Sequence, residues 1–298
     1  MSYKTGWKYK NIGNDNKTNL FQYGSGNDKI VYDIYEKNKN FFPEIANQGK
    51  IESCVPTCIS TLYYYYTVKQ NNHLKIRISR LYLYYKVREV YSEIDKDNGS
   101  TIQDCINELV VNGAPPEFIY PYNIDNIFEP PCDLSINLSK YCKCLGFNKI
   151  DRFKIKKYLS NDDPIICGIK IFFDIHDKEI GKTGIIPSPI TNSIIISGHC
   201  ILIVGYNDNT QQYKFINSWG EKWGDNGCGY IGYDYIYNYR FSDEFYILKN
   251  VTNPKIKMLL NDTPAPAPAP NKSKENVNDG NSIMKSIQEL FNLSINKK

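Results

Sequence analysis

The chain has 298 residues, 41% hydrophobic and 23% charged, with a formal net charge of +4, which is enough for one large domain or two small ones around a sizeable core. Its Lys and Arg residues are spread out, with no compact tract interleaved with aromatics, and this excludes a nucleic-acid-binding stripe. The longest apolar run, Ile194 to Val204, is broken by Ser197, Gly198 and His199 and is too short to cross a bilayer, so no membrane span is expected.

In chain order, residues 1–40 are polar and rich in Asn and Lys, with weak strand patterning only around Lys29 to Tyr35. They are expected to form an N-terminal arm, or a cover over a cleft. The start, Met1 to Lys8, lacks the apolar stretch and cleavage site of a signal peptide. The nine cysteines are therefore expected as reduced thiols of an intracellular, cytoplasmic protein, and their odd number leaves at least one unpaired in a monomer. Residues 54–112 read mainly as helix, and Ser100-Thr101-Ile102-Gln103 reads as a capping box opening a helix that stops at Asn112-Gly113. Residues 115–147 read as irregular, followed by a short helix from about Asp151 to Leu159. Strands are expected at Pro164–Phe172, His199–Tyr206, Tyr213–Ser218, Gly229–Tyr233 and Glu244–Leu248, with Asn207 to Thr210 as a hairpin turn. Helices first and strands later indicate an α+β fold. The alternation Thr263 to Pro270 favours an extended spacer, and Ile283, Ile287, Leu290 and Phe291 beyond it follow helical spacing, as a short amphipathic helix able to dock a partner would.

Only three histidines are present, so imidazole chemistry near neutral pH falls to His73, His176 or His199. His73 reads as a loop residue and His176 as a turn residue; His199 alone sits in a strand, with Asn217 on the next one. Cys54 lies where a loop becomes a helix, with Pro56 in the first turn, so its thiol faces unpaired N–H groups and the positive end of the helix dipole. That placement favours a thiolate, and an adjacent His199 would stabilise it as an ion pair. Asn217 would orient the ring, and the Gln48 amide would join the Cys54 N–H in binding an oxyanion. Cys58, one turn later, should face the core. Cys132, Cys142 and Cys144 lack the spacing of a metal site, and no metal or cofactor is called for.

At these residues the chain resembles the papain-like cysteine peptidases, in particular their intracellular bacterial and viral branches. The matching blocks are Gln48-Gly49 with Ser53-Cys54, Gly198-His199-Cys200 through Gly205-Tyr206, and Asn217-Ser218-Trp219-Gly220 through Trp223-Gly224 to Gly229-Tyr230. The resemblance implies a helical domain packed on an antiparallel β domain over residues 41–255, with the cleft between them. It implies catalytic roles for Cys54, His199, Asn217 and Gln48, and substrate binding at Gly99, Ser100 and Trp219, the last of which would also shield the His199–Asn217 bond. The expected activity is endopeptidase action on a protein or peptide substrate. A catalytically inactive binding protein and an isopeptide-cleaving or acyl-transfer relative are the alternatives. Ile51 stands where secreted relatives have a disulfide cysteine, and Glu52 replaces a usual glycine, adding charge beside the thiol. Residues 256–298 would form a flexible appendage. The Tyr-, Ile-, Asn- and Lys-rich composition hints at an AT-rich coding genome. With the viral resemblance it points to a large DNA virus, whose particle is the alternative location.

Overall fold

A computed structural model describes residues 3–9, 30–70, 75–190 and 192–252. His73, the Pro-Ala spacer and the expected C-terminal helix lie outside them. The described elements are β1 (Val31–Asp33), α1 (Ile34–Lys37), α2 (Cys54–Gln70), α3 (Arg80–Val90), α4 (Ile102–Val111), α5 (Asp133–Ser139), β2 (Cys144–Lys149), α6 (Ile155–Leu159), β3 (Ile165–Ile171), α7 (Lys178–Thr183), β4 (Ser197–Asn207), β5 (Gln212–Ile216), β6 (Cys228–Gly232), α8 (Tyr233–Tyr237) and β7 (Ser242–Val251). The strands form one antiparallel sheet in the order β2-β7-β3-β4-β5-β6, with β1 also paired to β4. Helices α2, α3 and α4 pack together, and α2 also lies on β3, β4 and β7. This is the α+β architecture.

Helix α2 is buried all round from Cys54 to Val68, as a helix wedged between other helices and a sheet must be. Several of its buried polar side chains find partners, Ser60 Oγ donating to Ile78 O at 2.7 Å and Tyr63 and Tyr65 to the carbonyls of Thr252 and Asp162, while Thr57 Oγ1 is buried without one. Strand β4 is buried at nine successive positions, as a strand covered on both faces should be. Its register with β5, Leu202 opposite Ile216, brings His199 and Asn217 to the same end of the hairpin.

Two expectations change, and the weak strand patterning around Lys29 to Tyr35 is borne out. The α4 cap is Thr101, whose side chain accepts from Asp104 N at 3.0 Å, one residue later than the expected Ser100–Gln103 box. Gln103 instead accepts from the Tyr246 hydroxyl and donates to Asn107. The stretch read as irregular carries α5 and the start of β2, because pairing with β7 overrides the weak local pattern of Cys144 to Phe147. Within the polar N-terminal region, Val31–Asp33 pairs with Gly205–Asn207, and Lys214 Nζ lies 2.8 Å from Asp33 Oδ2.

Candidate active site

Two elements meet at the site. The start of α2 packs against β4, and the Cys54 sulfur is reached by the backbone N–H groups of Val55 and of Cys200, the residue after His199. Before the helix, the loop from Gln48 to Ser53 is pinned by Tyr122, whose hydroxyl donates to Gln48 O at 2.9 Å and pairs with Ser53 Oγ at 2.5 Å. The Tyr122 ring is held in turn by the Arg80 guanidinium, 3.8 Å from its centroid. Gln48 is fully buried, with Nε2 donating to Ile51 O at 2.8 Å and Oε1 accepting from Ser218 Oγ. One N–H of its amide is thus used to lock the loop, and the second remains for another acceptor.

The imidazole is oriented just as tightly. Asn217 Oδ1 accepts from Ser218 N at 2.8 Å, which fixes the amide, and lies 2.8 Å from His199 Nε2. The oxygen can only accept, so Nε2 carries the proton and Nδ1 keeps its lone pair. Nδ1 is buried without a hydrogen-bond partner. Trp219 stacks on the ring at 4.6 Å between centroids.

Burial acts against the charged pair that the helix start favours. A thiolate–imidazolium pair was the reading from the helix start, but Cys54 is fully buried and desolvation pushes its thiol well above the usual range, against the lowering by the Cys200 and Val55 N–H groups. Desolvation likewise lowers His199 to about 4, although its bond to Asn217 works the other way. Cys58 is buried in the core beside Cys200, as its helical position requires.

Residues 3–9 run across this corner, bonded to Gly198, Ser100 and Trp219. Gly6 N and Trp7 N both donate to Gly198 O at 3.0 Å, while Ser100 N donates to Gly6 O at 2.8 Å and Lys8 N to Ser100 O at 3.0 Å. A Cβ on Gly99, whose φ is +75°, would come within 2.1 Å of Gly6 O, so a left-handed residue without a side chain is needed there. Tyr3 stacks on Trp219 and on His176, and Trp219 Nε1 donates to Lys4 O at 2.9 Å. Lys4 Nζ lies 3.7 Å from Glu52 and 3.9 Å from Asp97. Burial and the Asp97 charge raise the Glu52 carboxyl, and Lys4 opposes this. Glu52 therefore meets the N-terminal segment. Asp97, Glu93, Glu244 and Trp7 were not picked out from the sequence; Gly168 and Gly198 inside strand patterns were the signal of a close approach there.

The sequence profile of the papain family cysteine proteases matches residues 31–246. The chain belongs to that family. An uncharacterized peptidase C1-like protein of Acanthamoeba polyphaga mimivirus is 30% identical over 76% of this chain and 78% of its own length. Viral cathepsin of Bombyx mori nuclear polyhedrosis virus is 24% identical over 71% of this chain and 62% of its own. Among solved structures, xylellain, a cysteine protease from Xylella fastidiosa, superposes with a TM-score of 0.67 at 23% identity, covering 74% of this chain and 85% of xylellain. Digestive procathepsin L 3 of Tenebrio molitor superposes at 0.57 and 18% identity over 74% of this chain and 69% of its own. This papain-family chain is a cysteine peptidase, a hydrolase of peptide bonds. No described helix is long and apolar enough to cross a membrane.

Proposed function

We propose that this protein is an endopeptidase that works through Cys54, His199, Asn217 and Gln48, and that residues 3–9 are an inhibitory cover on its cleft. In this reading His199 Nδ1 takes the Cys54 proton as the sulfur attacks the scissile carbonyl. The negative oxygen is held by the Cys54 N–H and the second Gln48 amide N–H. The proton on Nδ1 then passes to the leaving amine, a thioester remains on Cys54, and water attacks it with His199 as base. Asn217 holds the ring through both steps.

The observation that carries the reading is the buried Nδ1 lone pair, unpaired while Nε2 is anchored on Asn217, in a strand packed against the helix start that bears Cys54. An unpaired buried nitrogen has a cost that a purely structural histidine would avoid by finding a partner. The bonds of Gly6 and Trp7 to Gly198 support the cover, and the viral relatives support a virus-encoded protein with protein substrates. Peptide hydrolysis tests the assignment: Cys54→Ala and His199→Ala are expected to lose about 10⁴-fold or more, and Cys58→Ala to stay within about threefold as a small buried replacement. A fully active Cys54→Ala chain would contradict it.

A further inference from the structure

Residues 3–9 are themselves a peptide lying in the cleft, and each of their cationic or N–H-bearing side chains there meets a carboxylate. Lys4 faces Glu52 and Asp97, Trp7 Nε1 donates to Glu244 Oε2 at 2.7 Å, and Lys8 Nζ lies 2.7 Å from Glu93 Oε2. Trp7 and Lys8 are neighbours on an extended segment, so their side chains go to opposite walls.

The Trp7 position is a built receptacle. A Cβ on Gly168 would come within 2.4 Å of the indole and one on Gly198 within 2.2 Å of Trp7 O, so both strands are bare where the side chain lies. Across from them β7 carries a bulge: Cys167 pairs with Phe245 and Gly168 with Asp243, leaving Glu244 as the extra residue at φ +58°. Left-handed backbone is costly for glutamate, and its effect here is to turn a carboxylate toward the indole N–H. The Lys8 position borders a cavity of about 270 Å³ lined by Val87, Arg88, Tyr91, Glu93 and Thr101. The Arg88 guanidinium is committed to the carbonyls of Tyr84, Ile94, Lys96 and Ile127, so Glu93 sets the charge at that cavity's mouth. The nearby Lys170 ammonium sits under Tyr9, 4.8 Å from the ring centroid.

We infer that this cleft selects basic peptides, taking an arginine or tryptophan side chain where Trp7 lies and a lysine or arginine where Lys8 lies, with Glu244 and Glu93 as the selecting groups. The inference rests on the peptidase reading and adds its substrate class. Arginine matches the Trp7 receptacle because its flat guanidinium spans the glycine floor and ends in N–H donors facing a carboxylate. Leucine fills the space but leaves Glu244 without that donor, and glutamate places like charges together. Residues 6–8 run parallel to Ser100; a peptide laid in the opposite direction meets the same two positions in exchanged order.

The test uses the full chain carrying Gly6→Ala, Trp7→Ala and Lys8→Ala, which sets the segment's backbone against Glu52 O and removes both side chains, against fluorogenic peptides with Arg, Lys, Trp, Leu or Glu at each of two adjacent sites. Arg and Trp are expected to exceed Leu by about 10-fold or more at the Glu244 position, the factor for a hydrogen bond to a charged group. Adding Glu244→Gln should remove the Arg preference and keep the Trp preference, since the amide oxygen still accepts. Adding Glu93→Gln should lower the Lys or Arg preference at the other site by about threefold, as for a half-exposed ion pair. Hydrolysis with no side-chain preference, or preferences unmoved by both variants, would overturn the inference and leave the peptidase standing. No hydrolysis of any peptide, with Cys54 no more reactive to an alkylating agent than the other thiols, would overturn both.

Discussion

Gln48, His199 and Asn217 are fixed by side-chain bonds inside a packed core, whereas residues 3–9 are held over them by main-chain bonds to Gly198 and Ser100 and by three side chains that reach carboxylates. The first region is over-determined: each amide and ring has one orientation that satisfies its partners. The second is a set of attachments around the site, in which the Trp7 indole is buried and the ion contacts of Lys4 and Lys8 are partly exposed. In the proposed reading, chemistry that needs fixed atoms sits in the rigid region, and control of access sits in residues 3–9. A packed core cannot give way locally without a large cost, but a short segment on the surface can.

The comparison can be broken first at its rigid half. Gln48→Ala is expected to lower kcat about 10²- to 10³-fold, because it removes a preorganised donor. Asn217→Ala should cost about 100-fold, because the ring is then free to turn while its proton chemistry persists. Steady-state kinetics on one peptide substrate decide both, and a Gln48→Ala loss below twofold would remove that amide from the oxyanion site.

A pH titration sharpens the same half. His199 falls from an ordinary 6.5 to about 4 on burial, so between those values the unfolded chain binds the proton and the native chain does not. Its contribution to stability is fully present above pH 6.5 and is lost as pH falls toward 4, on the order of 3 kcal/mol in all. Chemical denaturation at pH 7 and pH 4 should show that loss in the wild type and a smaller one in His199→Gln. An equal acid loss in both would locate the effect elsewhere.

The smallest expected effect is in the movable half. Lys4→Ala removes two long, half-exposed ion contacts to Glu52 and Asp97, and such pairs contribute about 0.2–1 kcal/mol. Hydrolysis should rise by no more than about fivefold, and only at low salt. A larger rise would make Lys4 the main latch.

Much of the rigid half was legible in the sequence because its chemistry needs particular residue types at particular spacings. Cys54 before Pro56, and a histidine and an asparagine on successive strands, survive as pattern through any surrounding substitution. The strands from Ile165 to Ile216 were legible for the same reason, as long apolar runs bounded by turn residues. The seating of residues 3–9 was not, because main-chain bonds carry no side-chain signature and a polar, Lys-containing stretch reads as solvent-exposed. Nor was the burial of Cys54 and His199. The helix start pointed to a thiolate, and the burial that opposes it is a property of the folded cleft. The cap of α4 slipped by one residue because Ser100 and Thr101 are both good caps, and the backbone bonds that Ser100 makes with residues 6 and 8 leave the cap to Thr101.

Gly6 gives the most direct test of a working Cys54–His199 pair lying under a removable segment. A Cβ there would come within 2.2 Å of Glu52 O, in the loop before Cys54, so Gly6→Ala should unseat residues 3–9 while changing none of the Gln48, Cys54, His199 or Asn217 side chains. The rate of Cys54 alkylation, followed by mass spectrometry against the other eight thiols, is expected to rise about 10-fold in Gly6→Ala at pH 7, as overpacking of this size predicts. Peptide hydrolysis should rise with it. Equal alkylation and equal hydrolysis in Gly6→Ala and the wild type would contradict the account.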